Sequence, residues 1–457
     1  MRDDGTPEAR LAGRRLLGSR RFTPLFAVQA LGAFNDNVFK FGVISLLTFQ
    51  LHAELQLEMS ILTLTTIASG IFIAPFALLA PVAGQIADRV DKAVMMRAVK
   101  FAEILLMALA AFAFFVQDLL VLYVLIFLMG AQSAFFAPIK YGVLPQYLES
   151  HELVRGNGLI QAGTFFAILA GTVVGNNLIL ADGGVLWVSG MIIAVAAAGF
   201  AASLFAPAAP PAPAAEPRKP VDFLLVRAIA ETARVTYAAP PAFRATLAIS
   251  WFWFVGATFL ALLPTFVKLQ LGGDETVVTL LLAAFSIGVG VGAVLCGLIY
   301  RGAARVGHAP LGALGIAVFS ADLAFSAPTA APAADALMTA ADFLASPEGL
   351  RVLVDFIGLA VFAGLYVTPL NAVYQAASPP AARGRVVAFS NVADASLMVV
   401  SAIAILIFEA LALSPHHILG VVGATGLLTS VVVARWAPET WFGQLALRVW
   451  PRRGAGE

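Results

Sequence analysis

The sequence contains little charge and almost no cysteine. Charged residues make up 12% of the 457 residues, and the formal net charge is +1, whereas soluble domains carry about 25% charged residues. This balance excludes a disordered chain and a nucleic-acid-binding protein, because both need many charges. Cys296 is the only cysteine, which excludes a disulfide scaffold and says little about the redox compartment.

Catalytic motifs are missing as well. The sequence has no GxSxG, no HExxH, no P-loop and no pairing of a cysteine nucleophile with histidine. We therefore expect no catalytic residues, no metal site, no cofactor and no step driven by ATP.

Apolar residues dominate what remains. They make up 60% of the chain, and the mean hydropathy is +0.90. A membrane-spanning helix needs about 20 apolar residues, so twelve such runs use most of this length. We predict an all-α integral membrane protein without a sizeable soluble domain. The predicted helices lie near 22–51, 59–86, 94–116, 118–138, 158–180, 184–206, 243–268, 276–300, 308–328, 351–376, 386–412 and 415–436.

A Pro- and Ala-rich stretch that also carries arginines divides these helices six and six. The predicted organisation is an N-terminal segment 1–21, a six-helix bundle 22–206, a linker 207–241, a second six-helix bundle 242–437 and a tail 438–457.

An internal repeat supports this division. Gly130-AQSAFFA-Pro138, followed by Arg155-Gly156-Asn157, recurs as Gly364-LYVT-Pro369, followed by Arg383-Gly384-Arg385. Such a repeat is typical of transporters in which two related bundles rock about a site near the midplane.

The positions of lysine and arginine predict the orientation. If both termini, the linker and the other even-to-odd loops share one side, that side holds all but three of the 28 lysines and arginines, the exceptions being Lys40, Lys268 and Arg351. Lys100 is assigned with the loop between the second and third helices. The positive-inside rule then places both termini in the cytoplasm.

One loop motif resembles that of a known superfamily. The segment Gly84-QIADRVD-Lys92, between the second and third helices, resembles the G-x-L-A-D-R-x-G-R/K loop of the major facilitator superfamily. This resemblance implies a major facilitator fold. Asp91 stands where the family usually has glycine, which puts the tight turn in doubt.

Several residues of this loop and of the repeated segment in the second half are expected to act in gating. Gly84 allows two helices to approach closely, and Asp88 and Arg89 place opposite charges at a helix end, where each can pair in one conformational state. Arg383 and Arg385 follow the repeated proline in the second half. The alternative is a basic cytoplasmic turn that only obeys topology, which we favour for Lys92.

Four further blocks point to one family within this superfamily. They are Gly32-AFNDNVF-Lys40, Phe136-APIKY-Gly142, Ser250-WFWFV-Gly256 and Pro369-LNAVY-Gln375. These blocks resemble the lysophospholipid transporter family, including the transporter domains fused to acyltransferase and acyl-ligase modules in some bacteria. The resemblance implies movement of a lysophospholipid such as lysophosphatidylethanolamine across a bacterial cytoplasmic (inner) membrane by alternating access. Reacylation by a separate acyltransferase would follow, and a monomer is the superfamily's usual state.

The first block predicts part of a headgroup site. Asn35, Asp36, Asn37 and Lys40 place polar side chains along little more than one helical turn, and Asp36 and Lys40 are spaced so that they can pair. Ionisable groups at membrane depth are expensive and usually functional. The alternatives are a structural ion pair between Asp36 and Lys40, snorkelling of Lys40, and asparagines that join neighbouring helices.

Lys140 and Asn371 complete the predicted substrate site. They occupy matching positions after the repeated proline. A phosphoethanolamine headgroup needs a carboxylate for its ammonium and a cation for its phosphate, and we assign these roles to Asp36 and Lys140. Topology alone also explains a lysine at the end of a cytoplasmic helix, and helix packing also explains Asn371.

Other acidic residues of the predicted helices are candidates for proton coupling. Glu103 and Asp394 are the preferred ones, because the rest lie near predicted helix ends where solvation is expected. The rest are Asp322, Asp355 and Glu409.

Two other functions stay open. The first is transport of a small solute, such as a drug, a sugar or an anion, on the same fold. The second is a non-transporting membrane partner that recruits an acyltransferase through its arginine-bearing linker.

Overall fold

The computed structural model describes residues 13–51, 61–214, 220–299, 305–326, 337–411, 413–437 and 443–445. Predictions for 1–12, for linker residues 215–219 and for most of the tail 438–457 lie outside the described residues, as does the side chain of Glu409.

Among the described residues, seven α-helices precede the linker. They are α1 (Thr23–Leu46, continued by a π-helical turn Leu47–Leu51), α2 (Ile61–Leu78), α3 (Ala80–Ala87), α4 (Lys92–Val116), α5 (Leu119–Tyr147), α6 (Leu153–Leu178) and α7 (Gly184–Leu204).

Eight further α-helices lie within or after the linker in the described residues. They are α8 (Leu225–Tyr237), α9 (Pro240–Phe266, continued by a π-helical turn Val267–Leu271), α10 (Glu275–Ile299), α11 (Ala309–Ser326), α12 (Ala340–Ala345), α13 (Pro347–Ala377), α14 (Arg383–Ala410) and α15 (Pro415–Ala434).

Every predicted membrane helix has a counterpart. In the described part of the chain nine helices are long and apolar enough to cross a membrane, and the bent pair α2 and α3 makes a tenth span. The remaining two counterparts are α1 and the shorter apolar helix α11. The predicted all-α membrane architecture is confirmed, and the count of twelve is consistent with these helices.

Proline explains the bend in the second span. The axes of α2 and α3 differ by 44°. Pro81 stands at the start of α3, where it has no N–H group to bond the carbonyl four residues earlier. The break leaves α3 as a short helix that carries the motif residues Gly84 and Gln85.

Aspartates begin the two helices that follow. Asp91 is the N-cap of α4 and accepts a hydrogen bond from the Ala93 N–H (2.8 Å), and Asp118 caps α5 through the Val121 N–H (2.9 Å). A carboxylate at an N-cap satisfies helix donors that have no intrahelical partner. The departure from glycine at position 91 is therefore accommodated, because the residue begins a helix.

The chain divides into two compact units. The first comprises Met1–Gly156, Gly163–Phe243 and Gln375–Ala395, and the second comprises Asn157–Ala162, Arg244–Tyr374 and Ser396–Glu457. The beginning of α14 thus groups with the first unit, although the sequence analysis assigned it to the second bundle.

The apolar core of the first unit lies between α1, α4, α5 and α7. Phe39 and Phe114 are buried there, with ring centroids 5.6 Å apart. Gly175 allows α6 to approach α1 closely, because a Cβ at this position would lie 2.6 Å from the Val38 carbonyl oxygen. Close backbone contact through small residues is the usual basis of helix packing in membranes.

The linker contains a helix that the sequence analysis did not predict. In α8, the buried residues Ala228, Thr232 and Thr236 recur every four positions, while Val226 and Tyr237 are exposed. This spacing is typical of a helix that lies on a protein surface along one narrow stripe.

Candidate functional site in the first unit

The polar side chains of α1 between positions 35 and 40 differ in how deeply they are buried. Asn35 and Asn37 are buried, and Asp36 and Lys40 are half-buried. The Asn37 side chain donates to the Ala33 carbonyl of its own helix (2.7 Å). This bond is local, so Asn37 is explained without a ligand.

Glu103 lies at the centre of a buried hydrogen-bond network. Its Oε2 accepts from Lys100 Nζ (2.6 Å) and Gln132 Nε2 (2.9 Å), and its Oε1 accepts from Asn35 Nδ2 (3.1 Å). Only 2% of the Lys100 side chain and 1% of the Glu103 side chain are exposed. Buried opposite charges persist only when they are paired and hydrogen-bonded in this way.

Lys100 corrects one step of the sequence analysis. It was counted with the loop charges that set the orientation, but it lies in the third turn of α4 and is fully buried. The Lys100 ammonium lies 2.5 Å from where a Cβ of Gly32 would be, so glycine in α1 leaves room for it. Lys100 therefore belongs to the site.

Asp36 is joined to this network at one oxygen only. Its Oδ2 accepts from Ser133 Oγ (2.6 Å), and the same hydroxyl lies 3.3 Å from Gln132 Oε1. The Oδ1 atom is buried and has no hydrogen-bond partner within the described part of the chain. A carboxylate oxygen without a donor in apolar surroundings is costly, so the Asp36 carboxylate is only half satisfied by the described residues.

The two lysines near Asp36 contact aromatic rings. Lys40 Nζ lies 4.7 Å from the ring centroid of Phe41 and 5.1 Å from that of Phe72. Lys140 Nζ lies 4.3 Å from the ring centroid of Tyr141. Both ammonium groups attract the Asp36 carboxylate electrostatically, but among the described residues neither forms a direct ion pair with it. The direct Asp36–Lys40 pair that the spacing allows is not formed.

The remaining candidates of the predicted helices lie elsewhere. Asn371, on α13 of the second unit, is buried and donates to the Val367 carbonyl of its own helix (3.1 Å). Asp394, on α14, accepts a long hydrogen bond from Ser390 Oγ (3.5 Å).

The acids expected at solvated helix ends differ from one another. Asp322 is partly exposed and ion-paired with Arg351 (2.7 Å). Asp355 is buried, contrary to that expectation, because it lies two turns inside α13.

A second cluster forms where α3 ends and α14 begins, and we call Asp88, Gly384, Arg385 and Glu231 the loop cluster. Gly84 of α3 faces Gly384, and a Cβ at Gly84 would overlap the Gly384 carbonyl oxygen and lie 2.6 Å from the Ala388 Cβ. Only glycine allows this approach, as the motif predicts for Gly84.

Asp88 caps the first turn of α14. Its Oδ1 accepts from the Gly384 N–H (2.6 Å), and its Oδ2 accepts from the Arg385 N–H (3.3 Å) and Arg385 Nε (3.0 Å). A carboxylate at a helix N-terminus satisfies donors that have no intrahelical partner and interacts favourably with the helix dipole. Burial raises the pKa of the Asp88 carboxyl above its ordinary value, and the hydrogen bond and charge of Arg385 oppose this shift.

The other two predicted gate residues bind backbone carbonyls. Arg89 donates to the carbonyls of Gln85 and Pro220. Arg383 is buried and donates to the Gln375 carbonyl (3.1 Å) at the end of α13. Of the four charged candidates, Asp88 and Arg385 form an ion pair with one another (3.0 Å).

Sequence reasoning missed four members of these two clusters, which are Lys100, Gln132, Ser133 and Glu231. Gln132 and Ser133 lie inside the repeated segment before Pro138, so the repeat marked their helix without marking their role. The described residues contain no group of three His, Cys, Asp or Glu side chains placed to hold a metal ion.

Comparison with known proteins supplies the family. A model of the major facilitator superfamily matches residues 25–402. The chain belongs to the major facilitator superfamily. Like other members of this superfamily it is a multi-pass membrane protein.

Two curated relatives and one solved structure are similar to this chain. The protein named lysophospholipid transporter LplT of Enterobacter sp. (strain 638) is 30% identical over 279 residues, which cover 61% of this chain and 66% of the relative. The protein of that name from Yersinia pestis (strain Pestoides F) is 32% identical over 292 residues, covering 62% of this chain and 65% of the relative. The match thus spans just under two thirds of each relative.

The structure of the human organic anion transporter MFSD10 has a TM-score of 0.69 at 13% identity, and the match covers 92% of this chain and 99% of that one. At this identity the similarity shows the major facilitator fold alone.

Proposed function

We propose that this protein transports lysophospholipids across a bacterial cytoplasmic membrane by alternating access. The observation that carries the proposal is the unsatisfied Oδ1 of Asp36 inside a membrane helix, with two lysines nearby that have no direct carboxylate partner in the described residues. Uncompensated charges at this depth are expensive. A ligand that carries both charges would compensate both sides at once.

The headgroup of lysophosphatidylethanolamine has that chemistry. Its ammonium donates to Asp36 Oδ1, and its phosphate pairs with Lys140 or Lys40, each of which already attracts the Asp36 carboxylate. Hydrogen bonds between ionised groups are stronger than neutral ones, so the ammonium contact and the phosphate contact both stabilise the bound headgroup. The acyl chain stays against lipid or an apolar seam between helices.

The family and the relatives support the same substrate class. Major facilitator proteins are built for transport, and the two curated relatives carry the name of lysophospholipid transporters. Asn35, Asn37 and Asn371 bond to protein groups, so we assign substrate contact first to Asp36 and Lys140, then to Lys40, and to the asparagines last.

The lysine and arginine distribution supports an orientation with both termini in the cytoplasm, even though Lys100 leaves the loop count. The loop cluster then lies on the cytoplasmic side and acts as the gate. The protein acts as a monomer and delivers lysophospholipid to a separate acyltransferase. Glu103 and Asp394 remain candidates for coupling transport to proton movement.

Lysophospholipid movement in reconstituted vesicles tests the substrate site. We expect Asp36→Asn and Lys140→Gln to slow movement of labelled lysophosphatidylethanolamine by about tenfold or more, because a hydrogen bond to a charged group contributes about 1.5–3 kcal/mol. Matched controls are Asp182→Asn and Lys268→Gln, which change exposed residues outside the site and should move lipid at the wild-type rate.

Two results would overturn the proposal. Undiminished movement by well-folded Asp36→Asn would remove Asp36 from the substrate site. Uptake of a soluble tracer by well-folded wild type, without movement of lysophospholipid, would instead favour a small-solute transporter. Imposing a proton gradient on the same vesicles measures whether lysophospholipid movement is coupled to proton movement.

A further inference from the structure

The linker between the two halves binds the motif loop at several points. Gln85 and the backbone of Asp222 exchange two hydrogen bonds, one from the Asp222 N–H to Gln85 Oε1 (3.0 Å) and one from Gln85 Nε2 to the Asp222 carbonyl (3.3 Å). Gln85 is only 3% exposed. Arg89 adds a bond to the Pro220 carbonyl (3.4 Å). A tether that only connected two bundles would not need these directed contacts.

Helix α8 of the linker then places a carboxylate on the loop cluster. Glu231 Oε1 lies 3.2 Å from Arg385 Nη1, while Asp88 Oδ2 lies 3.0 Å from Arg385 Nε. The Arg385 guanidinium is therefore held by carboxylates from two segments, the end of α3 and the linker helix. The buried stripe of Ala228 and Thr232 fixes which side of α8 faces the protein and so aims Glu231.

We propose that linker residues 220–237 are a third component of the gate, and that Glu231 is the positioning residue that holds Arg385 against Asp88. This inference rests on the proposed function as an alternating-access transporter. Without Glu231, the Arg385 side chain would keep only Asp88 and a long hydrogen bond from Nη2 to the Ala381 carbonyl (3.4 Å). Ordering a long arginine side chain for so few contacts costs rotamer entropy. Glu231 adds a contact at Nη1, so the Asp88–Arg385 contact forms with less loss of freedom.

Amide hydrogen exchange reports directly on this gate. The Gly384 and Arg385 N–H groups lie in the first turn of α14, where helix donors have no intrahelical partner. Their hydrogen bonds go to Asp88, so their exchange rates measure how often Asp88 leaves α14.

We expect Glu231→Gln to speed exchange in the peptide that contains Gly384 and Arg385 by about two- to fivefold, the range for a partly exposed ion pair. The matched control is Glu149→Gln, which neutralises an exposed glutamate away from the loop cluster and should leave this peptide unchanged. Because the Glu231 side chain is 40% exposed, the substitution is compatible with folding, which size-exclusion chromatography verifies.

A double-mutant cycle separates positioning from a general effect on the fold. If Glu231 acts through Arg385, the increment from Glu231→Gln should vanish in an Arg385→Gln background. Unchanged exchange in Glu231→Gln, or an equal increment in both backgrounds, overturns the inference. The measurement needs no substrate, so it is independent of the vesicle test, and failure of lysophospholipid movement leaves its outcome intact.

Discussion

Asp36 and Asp88 are two carboxylates in largely apolar surroundings of the first unit, and they differ in how many of their oxygens accept hydrogen bonds. Asp88 accepts hydrogen bonds at both oxygens, from the Gly384 N–H and from the backbone and side chain of Arg385. Asp36 receives one donor, from Ser133, and its other oxygen is buried without a partner in the described residues. The contrast separates a carboxylate that joins two parts of the chain from one whose second oxygen is left without a donor among the described residues.

The largest effect should come from breaking the pair beside Asp36. Lys100→Met leaves Glu103 without its counter-charge, and removing one partner of a buried ion pair costs about 3–5 kcal/mol. Unfolding of the purified protein, followed by heat or denaturant in detergent micelles, measures this loss. The double variant Lys100→Met, Glu103→Gln should recover much of it, and a double variant no more stable than Lys100→Met would show that the network is not held by this pair.

The next prediction compares the two aspartates directly. Asp88→Asn removes the ion pair with Arg385 and weakens the cap of α14, so we expect a loss of about 1.5–3 kcal/mol in the free energy of unfolding. Asp36→Asn removes a buried charge that the protein leaves half satisfied, so the free energy of unfolding of this variant should stay unchanged or rise. Unfolding curves of the two variants, measured in parallel, test both expectations. The comparison is contradicted if Asp36→Asn is less stable than Asp88→Asn.

The smallest effect concerns the donor that orients Asp36. Ser133→Ala removes its hydrogen bond, a change worth about 1 kcal/mol, so lysophospholipid movement should slow about fivefold. Ser69→Ala is the matched control, because Ser69 bonds to the Thr65 carbonyl within its own helix. Equal rates for Ser133→Ala and wild type would mean that Asp36 does not need this donor.

The candidate site was predictable only in part. The sequence indicated Asp36 because it is an ionisable residue within an apolar run. It indicated Asp88 because this residue lies in a superfamily motif. Both signals can be read from a few neighbouring residues. It misassigned Lys100 to a loop because hydropathy alone cannot tell a charge at a helix end from one that has turned inward to meet Glu103. It also overlooked Glu231, since the helix that carries it lies in a polar linker.

Local composition alone determined the membrane class and the approximate positions of the membrane helices, because an apolar run of about 20 residues has few alternatives to a membrane helix. Tertiary structure decided which polar groups meet. Arg385 reaches Asp88 across 297 residues of sequence, and Asn35 reaches Glu103 across 68. Such pairs depend on helix rotation and packing, which hydropathy does not encode, and only packing decides which carboxylate is satisfied and which is left open.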